Sequence, residues 1–196
     1  MKRFLIVLSL VLAISGAAFS QSDKGQQSTA ILQKMRQIDL LNQILPVAMK
    51  KEQIRALLPE IEKARRDVKA QEAEEAKLLS DKNAELDKAV KAGIENGDVP
   101  DKKFLKDLNA MVQFMFMKRD AVANDNTEKV LAVVKSTLNA GQLKVMANSL
   151  NMKFMNPGVK PEEMKEDDKI RIYVREILLD PLAYDLLVKI QAGNRG

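Results

Sequence analysis

Met111, Met115 and Met117 bring three thioethers close together, interleaved with Phe114 and Phe116 in the run Met111-Val112-Gln113-Phe114-Met115-Phe116-Met117. Two chemistries suit that pattern. Thioethers are soft donors matched to Cu(I). Unbranched Met side chains also make an adaptable surface for varied apolar partners, and Lys118 and Arg119 beside them would attract acidic ones. The third use of such residues is packing, under the first helix, the C-terminal tail or a dimer partner. Met152, Phe154 and Met155 form a second soft patch. Most other chemistry is closed to this chain. It contains no His and no Cys, which removes His-based triads, His-containing zinc sites and thiol chemistry. Carboxylates remain, but no Asp or Glu pair lies in apolar or Gly-rich sequence that would bury and tune an acid. The chain therefore reads as a non-enzyme with no cofactor and no resident metal, and Met111, Phe114, Met115, Phe116 and Met117 are its candidate client- or partner-binding residues.

The elements that must position these residues are helices. Ile31, Leu32, Met35, Ile38, Leu41 and Leu45 have helical spacing after Ser28, a fair N-cap, and Pro46 disfavours helix at Leu45. A long helix starts near Lys51 and carries Ile54, Leu57, Leu58, Ile61, Ala64, Val68, Leu78, Leu79, Leu86, Val90 and Ile94. Ile54, Ile61 and Val68 are spaced by sevens, but Glu75 ends the series, so the seam thins mid-helix. Pro59 should kink this helix early. Asn96-Gly97 and Asp98-Val99-Pro100 stop it and turn the chain. A second long helix runs from about Asp101 to Leu138; Asn124 to Thr127 interrupt its apolar stripe, as a kink, a break or only a polar stretch. The short connection makes the pair antiparallel. Shorter helices follow from Ala140 to about Leu150, from Pro161, and from Leu182 to Ile190. Arg171 to Val174 has strand propensity, overruled by the Glu and Leu that follow. The expected fold is all-α: an extended antiparallel helical hairpin with shorter flanking helices.

Two helix starts share a pattern. Leu138-Asn139-Ala140-Gly141-Gln142-Leu143 and Met49-Lys50-Lys51-Glu52-Gln53-Ile54 both read apolar, cap position, two linkers, Gln, apolar. Asn139 is a strong N-cap, and Gln142 three residues on completes a capping box. Lys50 has no side-chain acceptor, so Gln53 serves a cap position without its partner.

The N-terminus carries an address. Lys2 and Arg3 precede an apolar run from Phe4 to Ile14, too short for the roughly 20 residues of a membrane span. Ala18-Phe19-Ser20 offers small residues for cleavage after Ser20. Residues 1–20 are thus expected to be a signal peptide and 21–27 a disordered linker, with the protein working in a bacterial periplasm or secreted. No stable membrane span is expected after cleavage. Without Lys2 and Arg3, 30 basic residues face 27 acidic ones, interspersed rather than clustered. That is a solvated helical surface and not a nucleic-acid footprint.

The two Gln motifs flanking a helical hairpin, with export, resemble the LTXXQ-motif family of periplasmic proteins, which includes Spy-type chaperones and CpxP stress proteins. The resemblance covers roughly residues 28–152. Neither copy has the family's Thr, and the chain beyond Met155 has no counterpart, so the domains read as 28–155, an LTXXQ-like hairpin, and 156–196, a helical tail. Gln53, Asn139 and Gln142 occupy the helix-opening motif. Membership implies an ATP-independent chaperone or stress-response role, with unfolded or partly folded proteins as partners and a homodimeric state. The alternative reading is a structural or adaptor coiled-coil protein whose hairpin docks one envelope partner.

Overall fold

Helix is the only regular secondary structure among the residues that the structure, a computed structural model, describes: 23–149 and 163–193. The expected signal peptide, the patch at Met152, Phe154 and Met155, and the Asn156-Pro157-Gly158 turn lie outside the described residues. The chain divides into two units, residues 1–36 and 37–196. Helix α1 (Asp23–Ile44) begins in the first and ends in the second. It starts ahead of Ser28, so Ser28 is inside the helix and not its cap. Residues 23–27 are helical, where their polarity predicts a disordered linker; Lys and Gln are adequate helix formers, and polarity alone does not oppose a helix. The buried residues are Leu40 and Ile44, whereas Ile31, Leu32, Met35 and Ile38, the front of the predicted stripe, are exposed. Pro46 ends the helix as expected. Leu45–Val47 forms a 3-10 turn, and Ala48 takes a left-handed φ of 51°, its N–H donating to Leu45 O at 3.1 Å.

Helix α2 (Lys51–Asn96) has 46 residues, a length of about 69 Å. It passes through Pro59, which is exposed. Gly97 stops it with φ +73°, a conformation that costs other residues about 1–2 kcal/mol. Asp101 opens α3 (Lys102–Thr137): its carboxylate accepts the Phe104 N–H at 2.8 Å. The chain does not break at Asn124 to Thr127, which form a polar stretch within α3. Thr127 Oγ1 donates to Ala123 O at 2.7 Å, and Asn126 Nδ2 donates across the seam to Ala64 O at 3.3 Å. Both side chains are buried and satisfied, so their polarity does not break the helix. The pairs Ala64–Asn126, Glu75–Arg119 and Glu74–Lys118 fix an antiparallel register.

Helix α4 (Ala140–Ser149) and helix α5 (Glu166–Tyr173), which continues as a π-helical turn over Val174–Leu178, precede α6 (Ala183–Ala192). Arg171 to Val174 is helical. These elements close a core at the open end of the hairpin, here called the stem. Ile54, Leu57, Ile61, Val130 and Val134 of the hairpin meet Leu40 and Ile44, Met146, and Tyr173, Leu178 and Leu187 there. The Tyr173 hydroxyl donates to Gln43 O at 2.9 Å. Lys135–Asp167 and Arg171–Glu128 pairs brace α5 against α3. The segment read as a tail thus shares the stem's core. The other end of the hairpin, the arm, differs sharply: from Ala76 to Phe114 no residue is buried. Two helices alone cover only a narrow strip of each other, and among the described residues no third layer lies on this part.

Candidate binding site

The two helix-opening glutamines, 89 residues apart in the chain, face each other. Gln53 Nε2 donates to Gln142 Oε1, and Gln142 Nε2 donates to Gln53 Oε1, both at 2.9 Å. Each amide also serves both chain segments. Gln53 Oε1 accepts the Lys50 N–H at 2.9 Å while Nε2 donates to Thr137 O at 3.0 Å. Gln142 Oε1 accepts the Asn139 N–H at 3.1 Å while Nε2 donates to Ala48 O at 3.1 Å. The arrangement has near-twofold symmetry: each Gln binds its own cap residue's N–H and a carbonyl two residues before the other's cap. Asn139 Oδ1 accepts the Gln142 N–H at 3.0 Å and completes the box at α4. Lys50 has no lone pair to offer, so only half a box exists at α2. This clasp ties the start of α2 to the junction of α3 and α4, closing the stem. It is positioning machinery and holds no reactive group.

The Met and Phe cluster does not form one site. Residues two apart on a helix are separated by about 200°. Met115 is buried in the seam, and Met111 is half-buried beside it. Phe114 is 45% exposed, Phe116 49% and Met117 65%. Phe114 lies on one side of the hairpin with the Glu74–Lys118 pair, Lys118 Nζ standing 5.4 Å from its ring centroid. Phe116 lies on the other side, with the Arg119 guanidinium 5.9 Å away. Met117 faces outward, roughly opposite Met111 and Met115, so the three thioethers cannot converge on one copper ion. Among the described residues no three His, Cys, Asp or Glu side chains gather as metal ligands.

Glu75, where the heptad ends, is buried in the seam. Its carboxylate accepts from Arg119 Nε at 2.7 and 2.9 Å, from Arg119 Nη2, and from Gln71 Nε2 at 3.0 Å. The Arg119 guanidinium holds the Glu75 carboxyl below the usual carboxylate range, against the opposing effect of burial. A paired charge inside a helical seam fixes register at some expense of stability. Sequence reasoning takes Glu75 as the end of the seam; the heptad spacing that reaches it was the available signal for burial.

On the Phe116 side, where the roof of C-terminal helices stops, lies a cleft of about 470 Å³. It is lined by Val68 and Glu72 of α2, Ala123 and Thr127 of α3, and Arg175 and Leu179 of the π-turn region. Tyr184 of α6 sits under the Arg65 guanidinium at 4.5 Å, on the same side. No helix among the described residues is long and apolar enough to cross a membrane. The chain matches no family model, no curated protein and no solved structure. The resemblance to the LTXXQ-motif family therefore rests on the residues themselves.

Proposed function

We propose that this chain is an exported, non-enzymatic binding protein of the bacterial periplasm, acting as an ATP-independent chaperone or stress-response protein of the LTXXQ type. The observation that carries this reading is the arm. It presents large apolar side chains, among them Phe114, Phe116 and Met117, to solvent along two helices anchored by a braced stem. Apolar side chains rimmed by charge, such as Phe114 beside Glu74 and Lys118, suit transient capture of partly folded proteins: burial drives contact, and the rim keeps the free protein soluble. The Gln53–Gln142 clasp supports the family resemblance, because it gives the paired helix-opening glutamines a common structural task.

Light scattering from a thermally or chemically denaturing client, followed without ATP, tests the proposal. Suppression at a few-fold molar excess is expected, weakened by Phe114→Ser and Phe116→Ser. No suppression at several-fold excess would remove the chaperone reading. The adaptor reading would then stand, favoured by the exposed apolar line of Val68, Leu79 and Val90 along α2.

A further inference from the structure

Val68, Leu79 and Val90 follow one another at steps of eleven residues along α2, and Leu105 and Phe116 are eleven apart on α3. Eleven residues complete about three helical turns, so each set forms a nearly straight line parallel to its helix axis. All five side chains are between 44% and 60% exposed. They lie on the same side of the hairpin, the side of Phe116 and of the cleft at Val68. From Val68 to Val90 the stripe is about 33 Å long.

The two sides of the arm differ in charge. The Phe114 side carries Glu74 and Lys118, and its far end has a cleft lined by Glu85, Lys88, Lys103 and Asp107. On the Phe116 side, the positions between the stripe residues from Ala76 to Val90 and from Leu105 to Phe116 include Ala76, Asn83, Asn109 and Gln113. Asp87 is the one charge on these stretches, at the outer edge; nearer the stem, Lys69 and Glu72 line the cleft at Val68 and Arg119 stands beside Phe116. Depletion of charge around an apolar line distinguishes an interface centre from a solvated face.

The stripe also continues an interface already present. In the stem, this same side is roofed by the chain's own helices: the π-turn rests on α3 and α6 on α2. The roof stops at Val68, and the stripe begins there. We infer that the stripe is a docking site for an amphipathic helix of a partner protein, about 22 residues long, with apolar residues on one face and uncharged polar flanks along the part that lies beyond Ala76. A third helix laid between α2 and α3 would extend the roof along the arm, with its side chains filling the groove between them. The inference rests on the binding-protein reading and specifies the partner's form.

The test uses the full chain and a fluorescein-labelled 22-residue helical peptide with Leu on one face and Asn, Gln, Ser and Ala elsewhere. A peptide of the same composition with the Leu residues dispersed is the control. Anisotropy should show saturable binding of the first peptide and at least tenfold weaker binding of the second. Leu79→Asn and Val90→Asn should each weaken binding at least tenfold with far-UV circular dichroism unchanged; Lys88→Ser, on the other side, should leave it intact. Equal binding of both peptides, or equal loss in Lys88→Ser, would overturn the proposal. So would a wild-type dimer by sedimentation velocity that Leu79→Asn splits, since a second copy would then occupy the stripe. Failure to suppress client aggregation, with peptide binding intact, would sink the chaperone reading alone.

Discussion

Replacing Gln142 by Glu separates the clasp from an ordinary capping box. In a capping box, Glu and Gln are interchangeable at the third helical position, and the extra negative charge near a helix N-terminus adds about 0.3–1 kcal/mol of stability. In the clasp, Gln142 Nε2 donates to Ala48 O and to Gln53 Oε1. A carboxylate can donate to neither. Two bonds of about 1 kcal/mol each are lost, and two partly buried acceptors are left facing an oxygen, for a total of about 2–4 kcal/mol. Gln53 cannot compensate by turning its amide, because it would forfeit the Lys50 N–H and Thr137 O bonds. With a urea slope of about 2 kcal/mol/M, the unfolding midpoint should fall by about 1–2 M at pH 7, read by circular dichroism at 222 nm. The protonated acid can donate again, so the penalty should be smaller in melts at acid pH than at pH 7. A midpoint that stays put or rises at pH 7 would refute the reasoning, since it is what a lone capping box gives. A double-mutant cycle between Gln53→Ala and Gln142→Ala should report a coupling of about 1–2 kcal/mol.

Other consequences are equally direct. Glu75 has its folded pKa lowered, so the stability it contributes is complete above the ordinary Glu value of about 4.3 and is lost as pH falls through the lower folded value. Glu75→Gln should flatten that acid limb in a series of urea melts. Arg119→Met, which leaves Glu75 buried without its cation, should cost about 1–3 kcal/mol, most of it recovered in the double variant with Glu75→Leu. Burial pushes the Tyr173 phenol up; its stabilising effect is complete below the free value of about 10 and declines as pH rises above it. Tyr173→Phe should cost about 1 kcal/mol through the lost bond to Gln43 O and give a shallower alkaline limb in thermal melts. Asp101→Ala should cost about 1 kcal/mol by removing the α3 cap, measured the same way.

The helix boundaries are legible in the sequence wherever the punctuation is local. Pro46, Asn96-Gly97 and Asp101 act through their own backbone or the next turn, and each marks a boundary within a residue or two. The Gln pattern is equally legible, but the meeting of Gln53 with Gln142 is tertiary and no spacing announces it. Polarity misleads at Asn126 and Thr127, whose partners are a carbonyl across the seam and one a turn back. It misleads again at Glu75, whose countercharge comes from α3. Apolar periodicity errs the other way. It assigns Val68, Leu79 and Val90 to the seam, yet all three are substantially exposed, because two helices cover only a narrow strip of each other. In the Met and Phe run, the residue types point to contact with a partner. Only the turn-by-turn rotation of α3 shows that Phe114 and Phe116 serve different sides.

The stretch from Ala76 to Phe114, where nothing is buried, gives the hairpin two levels of protection against opening. In the stem, amide hydrogens bonded among residues such as Leu57, Ile61 and Val130 exchange with solvent only when the whole core is lost. In the arm, a turn can unwind from the Gly97 end inward at the loss of a few half-exposed contacts, so its amides exchange through small local excursions. The slowing of exchange at Val90, Leu105 and their neighbours on adding a partner would then measure how much of that fluctuation the partner arrests.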